Sequence, residues 1–340
     1  MRQIWIPKAG PPEVLDIREA ADPLPREGEI RIQVEAVGVN FADIMARLGL
    51  YPDLPPMPVV PGFEVAGRVD AVGSDVEVDW VGRDVLAVTQ FGGYTDAVCV
   101  PEHQAFVRPV EMSAEHGAAI PVTYLTAYQL IEVMGGLGSA ESVLIHSAGG
   151  GVGTAAIQLA QRLGANIIAA ASASKHDFLE RMGVQHCVDY TEENVEERVR
   201  EITGGRGVEL AIDPLGGRSF KKSFRTLAPS GRLGMFGMSS TVVDGKRRLL
   251  ATLRAVWSTP WFAFNPLKLI DQNKGVFGVN LGHLWQETDR VNAWMEILIE
   301  YYRASLIRPI IAATFSFDRA ADAHRYIQDR ENIGKVLLTP

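Results

Sequence analysis

The stretch Ser142–Ala160, SVLIHSAGGGVGTAAIQLA, decides how the rest of the chain is read. An apolar run with the look of a strand ends at His146, a glycine-dense turn follows, and a helical pattern opens near Val152. The turn reads Ala148-x-Gly150-x-x-Gly153, with alanine where a dinucleotide-binding turn carries its first glycine. Each position has a mechanical reason. A small first residue permits the tight bend, Gly150 lets the main chain approach a pyrophosphate, and Gly153 lets helix and strand pack closely. Gly151 and Val152 fall in the first helical turn, whose N–H groups and partial positive charge attract an anion. A glycine pattern alone is weak, since a strand–helix turn without a ligand needs glycine too. The strand before it, and the helix and second strand after it, are what point to a dinucleotide.

The second strand, NIIAAAS, bears on which dinucleotide. An NAD-type site expects an acid about 20 residues past the turn, on the ribose 2′-hydroxyl. Ala170 and Ala171 stand there instead, and Ser172, Ser174 and Lys175 follow at once. Hydroxyls and an ammonium suit a 2′-phosphate, which a carboxylate would repel, so the expected cofactor is NADPH. Tyr190, at the end of the next predicted strand, can add a hydroxyl. Ser174 can also cap the helix KHDFLERMG, a role that faces the same loop.

Outward from here, strands and helices keep alternating: HCVDY, NVEERVREITGG, VELAID, GRLGMFG, GVFGVN and the long DRVNAWMEILIEYYRA. That rhythm predicts an α/β fold with a doubly wound parallel sheet. Upstream the period changes. EIRIQVEAVGV sets Ile30, Ile32, Val34 and Ala36 against Glu29, Arg31, Gln33 and Glu35, the alternation of a half-buried strand. FEVAGRVDAVG, DVLAV and DAVCV continue the pattern between Gly and Pro punctuation, as in a small antiparallel barrel. A short helix, FADIMARLG, interrupts it, with Asn40 as cap and Gly49 as stop.

The 340 residues are 47% hydrophobic and 22% charged, enough apolar material for two cores. A net charge of −8 argues against general nucleic-acid binding. Cys99 and Cys187 give no disulfide framework, so a reducing, cytoplasmic setting is expected. The N-terminal MRQIWIPKAG lacks the apolar core of a signal peptide, and no uninterrupted apolar run reaches the roughly 18 residues of a membrane span. Leu249–Ile270 comes nearest, broken by Arg254, Asn265, Lys268 and two prolines. With Lys246, Arg247 and Arg248 before it and Trp257, Trp261, Phe262 and Phe264 within it, three readings stand: a buried helix and turn, an aromatic lid, or a segment lying on a membrane surface.

The histidines, His103, His116, His146, His176, His186, His283 and His324, stand at no usual zinc-ligand spacing from one another or from either cysteine. G-x-S-x-G is absent. Taken together, GVNFADIMARLGLYP, VVPGFEVAG, AAASASKHDFLERMG, AIDPLGG and ENIGKVLLTP resemble the medium-chain dehydrogenase/reductase superfamily over essentially the whole chain. Within it they look like the zinc-independent quinone oxidoreductase (zeta-crystallin-like) branch; SASKH, DPLGG and NIGKVLL look closest to the vesicle amine transport protein group.

The resemblance implies a Rossmann domain at residues 122–304 and a GroES-like β-barrel domain built from residues 1–121 and 305–340. It implies a homodimer, for which an edge strand such as KGVFGVN can pair across a two-fold axis. Zinc-containing relatives carry Gly-His-Glu and an upstream cysteine; Phe63 and Asn40 hold those positions here, so no metal is expected. Glu64 then either orients loops or is a partly solvated remnant. The implied activity is NADPH-dependent reduction of quinones or α,β-unsaturated carbonyl compounds, with solvent delivering the proton. Asn40 would donate to a substrate oxygen or the nicotinamide side, unless it only caps its helix, and Tyr51 would line the pocket, unless it only packs on the barrel. Thr126, the Phe236–Gly237 and Val279–Asn280 main chain, Asn332 and Lys335 match positions that approach the cofactor. The alternative is a nucleotide-binding, lipid- or membrane-associated protein with little turnover.

Overall fold

The computed structural model describes residues 1–76, 79–241, 264–284 and 286–340. Most of the aromatic stretch, and with it the choice among its three readings, lies outside the described residues. The N-terminal part supplies strands β1 (Arg2–Trp5), β2 (Asp16–Glu19), β3 (Glu29–Val39), β4 (Glu64–Val72), β5 (Asp84–Val88), β6 (Ala97–Pro101) and β7 (Ala105–Val107). The middle supplies β8 (Ser142–His146), β9 (Asn166–Ala171), β10 (His186–Asp189), β11 (Val208–Asp213), β12 (Leu227–Met235) and β13 (Gly275–Gly278), and the C-terminus β14 (Ile311–Ser316) and β15 (Lys335–Thr339).

Two compact units result, one from Met1–Leu125 and Leu281–Pro340, the other from the described residues between 126 and 280. In the first, the sheet runs β14-β15-β3-β4-β5-β7, with β6 also on β3. β3 is the hub because its alternation works as expected: Ala36 is buried, and Ile30, Ile32 and Val34 are buried with Val65, Val69, Val85 and Val100 in one core. Each such side chain removed from water contributes roughly 1.5–3 kcal/mol. The helix Thr288–Arg303 also belongs to this unit, so the second junction falls at 280/281 rather than the expected 304/305. The cause is its apolar face. Val291 lines a small void with Val88, His103 and Phe106, and the Tyr302 hydroxyl lies 2.8 Å from His116 Nδ1.

The second unit is a six-stranded parallel sheet in the order β10-β9-β8-β11-β12-β13. Its central strands read as continuous apolar runs because both faces are covered: Val143, Leu144, Ile145, Ile168, Ala169, Leu210, Ala211 and Ile212 are all buried. Sequence order reverses between β8 and β11, the point where open α/β sheets form a ligand crevice beyond the carboxyl ends of their strands.

Candidate functional site

Past the end of β8, Ser147 takes a left-handed φ of 53° and the chain turns into the helix Gly151–Arg162. The Gly150 N–H donates to Ser147 O at 2.9 Å, closing the turn. Gly150 is the N-cap and has no side chain with which to cap. The first-turn N–H groups of Gly151, Val152 and Gly153 therefore have no partner within the helix, the condition for holding an anion. At Gly153 a Cβ would stand 2.5 Å from Ser147 O and 2.6 Å from Ala148 O, so only glycine fits. Ala148 contributes smallness alone: it is buried, and its N–H is committed to Ala170 O at 3.2 Å.

At the end of β9, Ala170 and Ala171 are buried apolar residues. The Ser172 and Ser174 hydroxyls lie 3.2 Å apart. Ser174 does not cap the helix that follows, whose N-cap is Lys175. The Lys175 stem lies across the phosphate turn, so that a Cβ on Gly149 would stand 2.6 Å from its Cδ. Tyr190 follows β10, where Asp189 is in register with Ala171. Thr191 holds the Asp189 carboxylate through its N–H at 2.9 Å and its hydroxyl at 2.7 Å.

The remaining expected residues of this unit sit on the main chain beyond β12 and β13. Phe236 N–H donates to Asp213 O at 3.3 Å, and Val279 N–H to Met235 O at 2.9 Å. Gly237 passes so close to Pro214 that a Cβ would stand 2.8 Å from its carbonyl oxygen. Asn280 follows Val279, and Thr126 is buried on the helix Pro121–Tyr128.

The barrel unit brings Asn40, Glu64 and Lys335 together. Glu64 is 0% exposed and Lys335 4%. The Lys335 ammonium donates to Glu64 Oε1, and to Asn40 Oδ1 at 2.6 Å. Asn40 Nδ2 donates to the same Glu64 oxygen at 2.8 Å, and Val122 N–H donates to Oε2 at 2.7 Å. Glu64 thus ties three chain segments, the loop-orienting reading. Gly38 makes room for it, since a Cβ there would collide with Oε1. Asn40 has both ends of its amide bonded inside this cluster. A buried carboxylate and a buried ammonium both need partners, and Asn40 serves one with each end of its amide. Asn332 Nδ2 donates to Gly334 O at 2.9 Å, shaping the turn before Lys335.

Tyr51 packs its half-buried ring on Phe63 and Phe91, with centroids 5.3 and 6.0 Å apart, and burial raises its hydroxyl pKa. Phe63 is likewise packed on Phe91 at 5.0 Å. Among the described residues no group of three or more His, Cys, Asp or Glu is placed to hold a metal ion.

Sequence reasoning misses Asp43, although Asn40-x-x-Asp43 has the capping-box spacing that would find it. Its carboxylate accepts the N–H groups of Asn40 at 2.7 Å and Gly62 at 2.9 Å. Burial pushes its pKa up to about 7, against the pull of these donors and of Lys335. Tyr94 and His324, 3.1 Å apart through OH and Nε2, are also missed; their pairing across the chain has no local signal.

Two family models match the chain: "Alcohol dehydrogenase GroES-like domain" over residues 26–111 and "Zinc-binding dehydrogenase" over residues 151–296. Among curated proteins, the synaptic vesicle membrane protein VAT-1 homolog of Homo sapiens is 39% identical over 327 residues, 96% of this chain and 82% of that one. A quinone oxidoreductase-like protein 2 homolog of Nematostella vectensis is 28% identical, covering 99% of this chain and 88% of that one. Among solved structures, Escherichia coli quinone oxidoreductase complexed with NADPH superposes with a TM-score of 0.87 at 29% identity, covering all of both chains. CurK enoyl reductase gives 0.83 at 27% identity, covering 99% of this chain and 98% of that one.

Proposed function

Because the chain belongs to the medium-chain dehydrogenase/reductase superfamily, close to the VAT-1 homologs and quinone oxidoreductase-like proteins, we propose that it is an NADPH-dependent reductase of quinones or α,β-unsaturated carbonyl compounds. The observation that carries the reading is the end of β9. Two hydroxyls stand where an NAD site keeps an acid, and the Lys175 stem crosses the phosphate turn beside them. The turn itself fits a pyrophosphate: an N-cap without a side chain, and a cradle at Gly153 that any Cβ would fill.

In the proposed complex Gly150, Gly151, Val152 and Gly153 hold the pyrophosphate, with Ala148 keeping the turn tight. Ser172, Ser174, Lys175 and Tyr190 hold the 2′-phosphate end. Thr126, Phe236, Gly237, Val279 and Asn280 line the remainder of the nucleotide. Bound NADPH supplies the hydride. Tyr51 donates its hydroxyl to the acceptor oxygen, where negative charge develops. Asn332 and Lys335 approach the cofactor, and Asn40 holds Lys335 through its amide oxygen. A conjugated acceptor spreads that charge through its π-system, so hydrogen-bond donors suffice where a saturated carbonyl needs a metal. With Phe63 and Asn40 in the ligand positions, the site is proposed to work without zinc. The protein is proposed to act in the cytoplasm, and as a homodimer through β13, an edge strand of its sheet.

NADPH consumption across a panel of quinones and enones tests the reading, beside elemental analysis for zinc. No turnover with any acceptor, or zinc at one equivalent per chain, would sink it. The names of the VAT-1 homologs favour a second reading, a nucleotide-binding protein that associates with membranes and turns over little. No helix among the described residues is long and apolar enough to cross a membrane. Sedimentation with anionic liposomes, together with absent turnover, would favour that second reading.

A further inference from the structure

A buried polar group lies directly under the phosphate turn. His146 ends β8 and Asp213 ends β11. The two strands pair with Ile145 opposite Ile212, so these two residues are neighbours across the point where strand order reverses. Between them stands Ser223, from the helix Arg218–Arg225. Its Oγ is 2.6 Å from Asp213 Oδ2 and 3.0 Å from His146 Nε2. All three side chains are buried.

The hydrogens in this group can be counted. A serine hydroxyl has one proton to give. The shorter contact, to a carboxylate, takes it. His146 must then carry its proton on Nε2 and donate to Ser223 Oγ. Burial lowers its pKa, consistent with a neutral ring. Ser219 Oγ donates to the same Asp213 oxygen at 2.6 Å, and Leu215 N–H to Oδ1 at 2.7 Å. This arrangement excludes a hydrolase-like use of the trio. The histidine donates to the hydroxyl instead of accepting from it, and Ser223 is 1% exposed.

The group instead reaches three loops. Ser147, the residue after His146, starts the phosphate turn. The carbonyl of Asp213 holds Phe236 N–H at 3.3 Å, that of Pro214 holds Ser239 N–H at 2.9 Å, and that of Leu215 holds Ser240 N–H at 3.0 Å. We propose that His146, Ser223 and Asp213 are positioning residues: a buried bridge that fixes the phosphate turn relative to the loops after β11 and β12, and so sets the pyrophosphate affinity of the site. This deepens the NADPH reading and rests on it.

The test uses the full chain, with Ser223→Ala and Ser223→Thr variants, and titrates each with NADPH and with 2′-AMP, which carries the ribose phosphate but no pyrophosphate. Ser223→Ala should weaken NADPH about tenfold, the scale of one buried charge-linked hydrogen bond. It should leave 2′-AMP within about twofold, and Ser223→Thr, which keeps the hydroxyl, should bind NADPH nearly as the parent does. Unchanged NADPH affinity in Ser223→Ala, or an equal loss of both ligands, overturns the proposal. Nitrogen NMR of His146 in the unsubstituted protein gives a readout that does not depend on a variant folding. A proton on Nε2 is expected, and one on Nδ1 alone overturns the bridge. Failure of the unsubstituted protein to bind either NADPH or NADH would instead remove the dinucleotide reading itself.

Discussion

At the end of β8 the first-turn N–H groups follow an N-cap that has no side chain to bond them, whereas among Asn40, Glu64 and Lys335 charged and polar groups close on one another out of water. One region is made by what is missing, the other by what is present. The first should tolerate little added volume, the second no unpaired charge. Breaking the second should have the larger effect. Glu64→Ala strands the buried Lys335 ammonium and is expected to lose about 3–5 kcal/mol of unfolding free energy by urea titration. Glu64→Ala combined with Lys335→Met, which removes both charges, should recover a large part of that loss because the two residues are in contact. Equal destabilisation of the single and double variants would mean that the pair is not electrostatically coupled.

The phosphate turn makes the contrasting case. Gly153→Val places branched carbon where Ser147 O and Ala148 O already stand. Overpacking of this kind costs roughly 1–3 kcal/mol. That cost should appear mainly as a fall in NADPH affinity of roughly tenfold to a hundredfold in a fluorescence titration, with circular dichroism retained. Wild-type affinity in this variant would show that the turn is not the anion site. A smaller change sharpens the comparison on its electrostatic side. Lys175→Ala should weaken NADPH about tenfold while moving NADH less than about twofold, and the gap should narrow as salt is raised. If both nucleotides weaken alike, Lys175 serves the pyrophosphate instead of the 2′-phosphate.

The same contrast explains what could be read in advance. A main-chain site needs glycine at fixed spacing, and spacing is written along the chain; Ala148, Gly150 and Gly153 announce the turn before any coordinate is known. The barrel strands are legible for a similar reason, because β3 and β4 alternate with the two-residue period of a pleat. Side-chain sites carry no such ruler. Lys335 lies 295 residues from Asn40 in sequence, and nothing local says that it will take the amide oxygen. The resemblance brought Asn40 and Lys335 forward singly, but their mutual satisfaction, and Glu64 as its hub, follow only from the fold. The placement of Thr288–Arg303 is a similar case: its helical period is plain, while its partners, β5 and the turn around His103, lie some 200 residues upstream.

Asp43 gives the comparison its finest test, since here burial and hydrogen bonding oppose each other within one group. Two backbone N–H donors and Lys335 favour the carboxylate, yet complete burial outweighs them and raises the pKa from 3.8 to about 7. A carboxyl that holds its proton more tightly when folded binds more protons in the native state than in the unfolded chain across that interval. Its contribution to stability is therefore fullest below about pH 4, falls as pH rises towards 7, and is level above. Other carboxylates slope the opposite way, among them Asp70, held low by Arg31 and Gln33, so the quantity to measure is a difference between two proteins. Asp43→Asn keeps the shape and one acceptor oxygen but cannot ionise. Urea midpoints for both proteins at pH 5 and pH 7.5 should show the parent losing ground to the variant at the higher pH, by on the order of 1–3 kcal/mol. Parallel behaviour at the two pH values would mean that the backbone donors win and that Asp43 is ionised throughout. The Asn40 and Gly62 turns would then be held by a permanent charge, and the barrel cluster would be as closed to protons as it is to water.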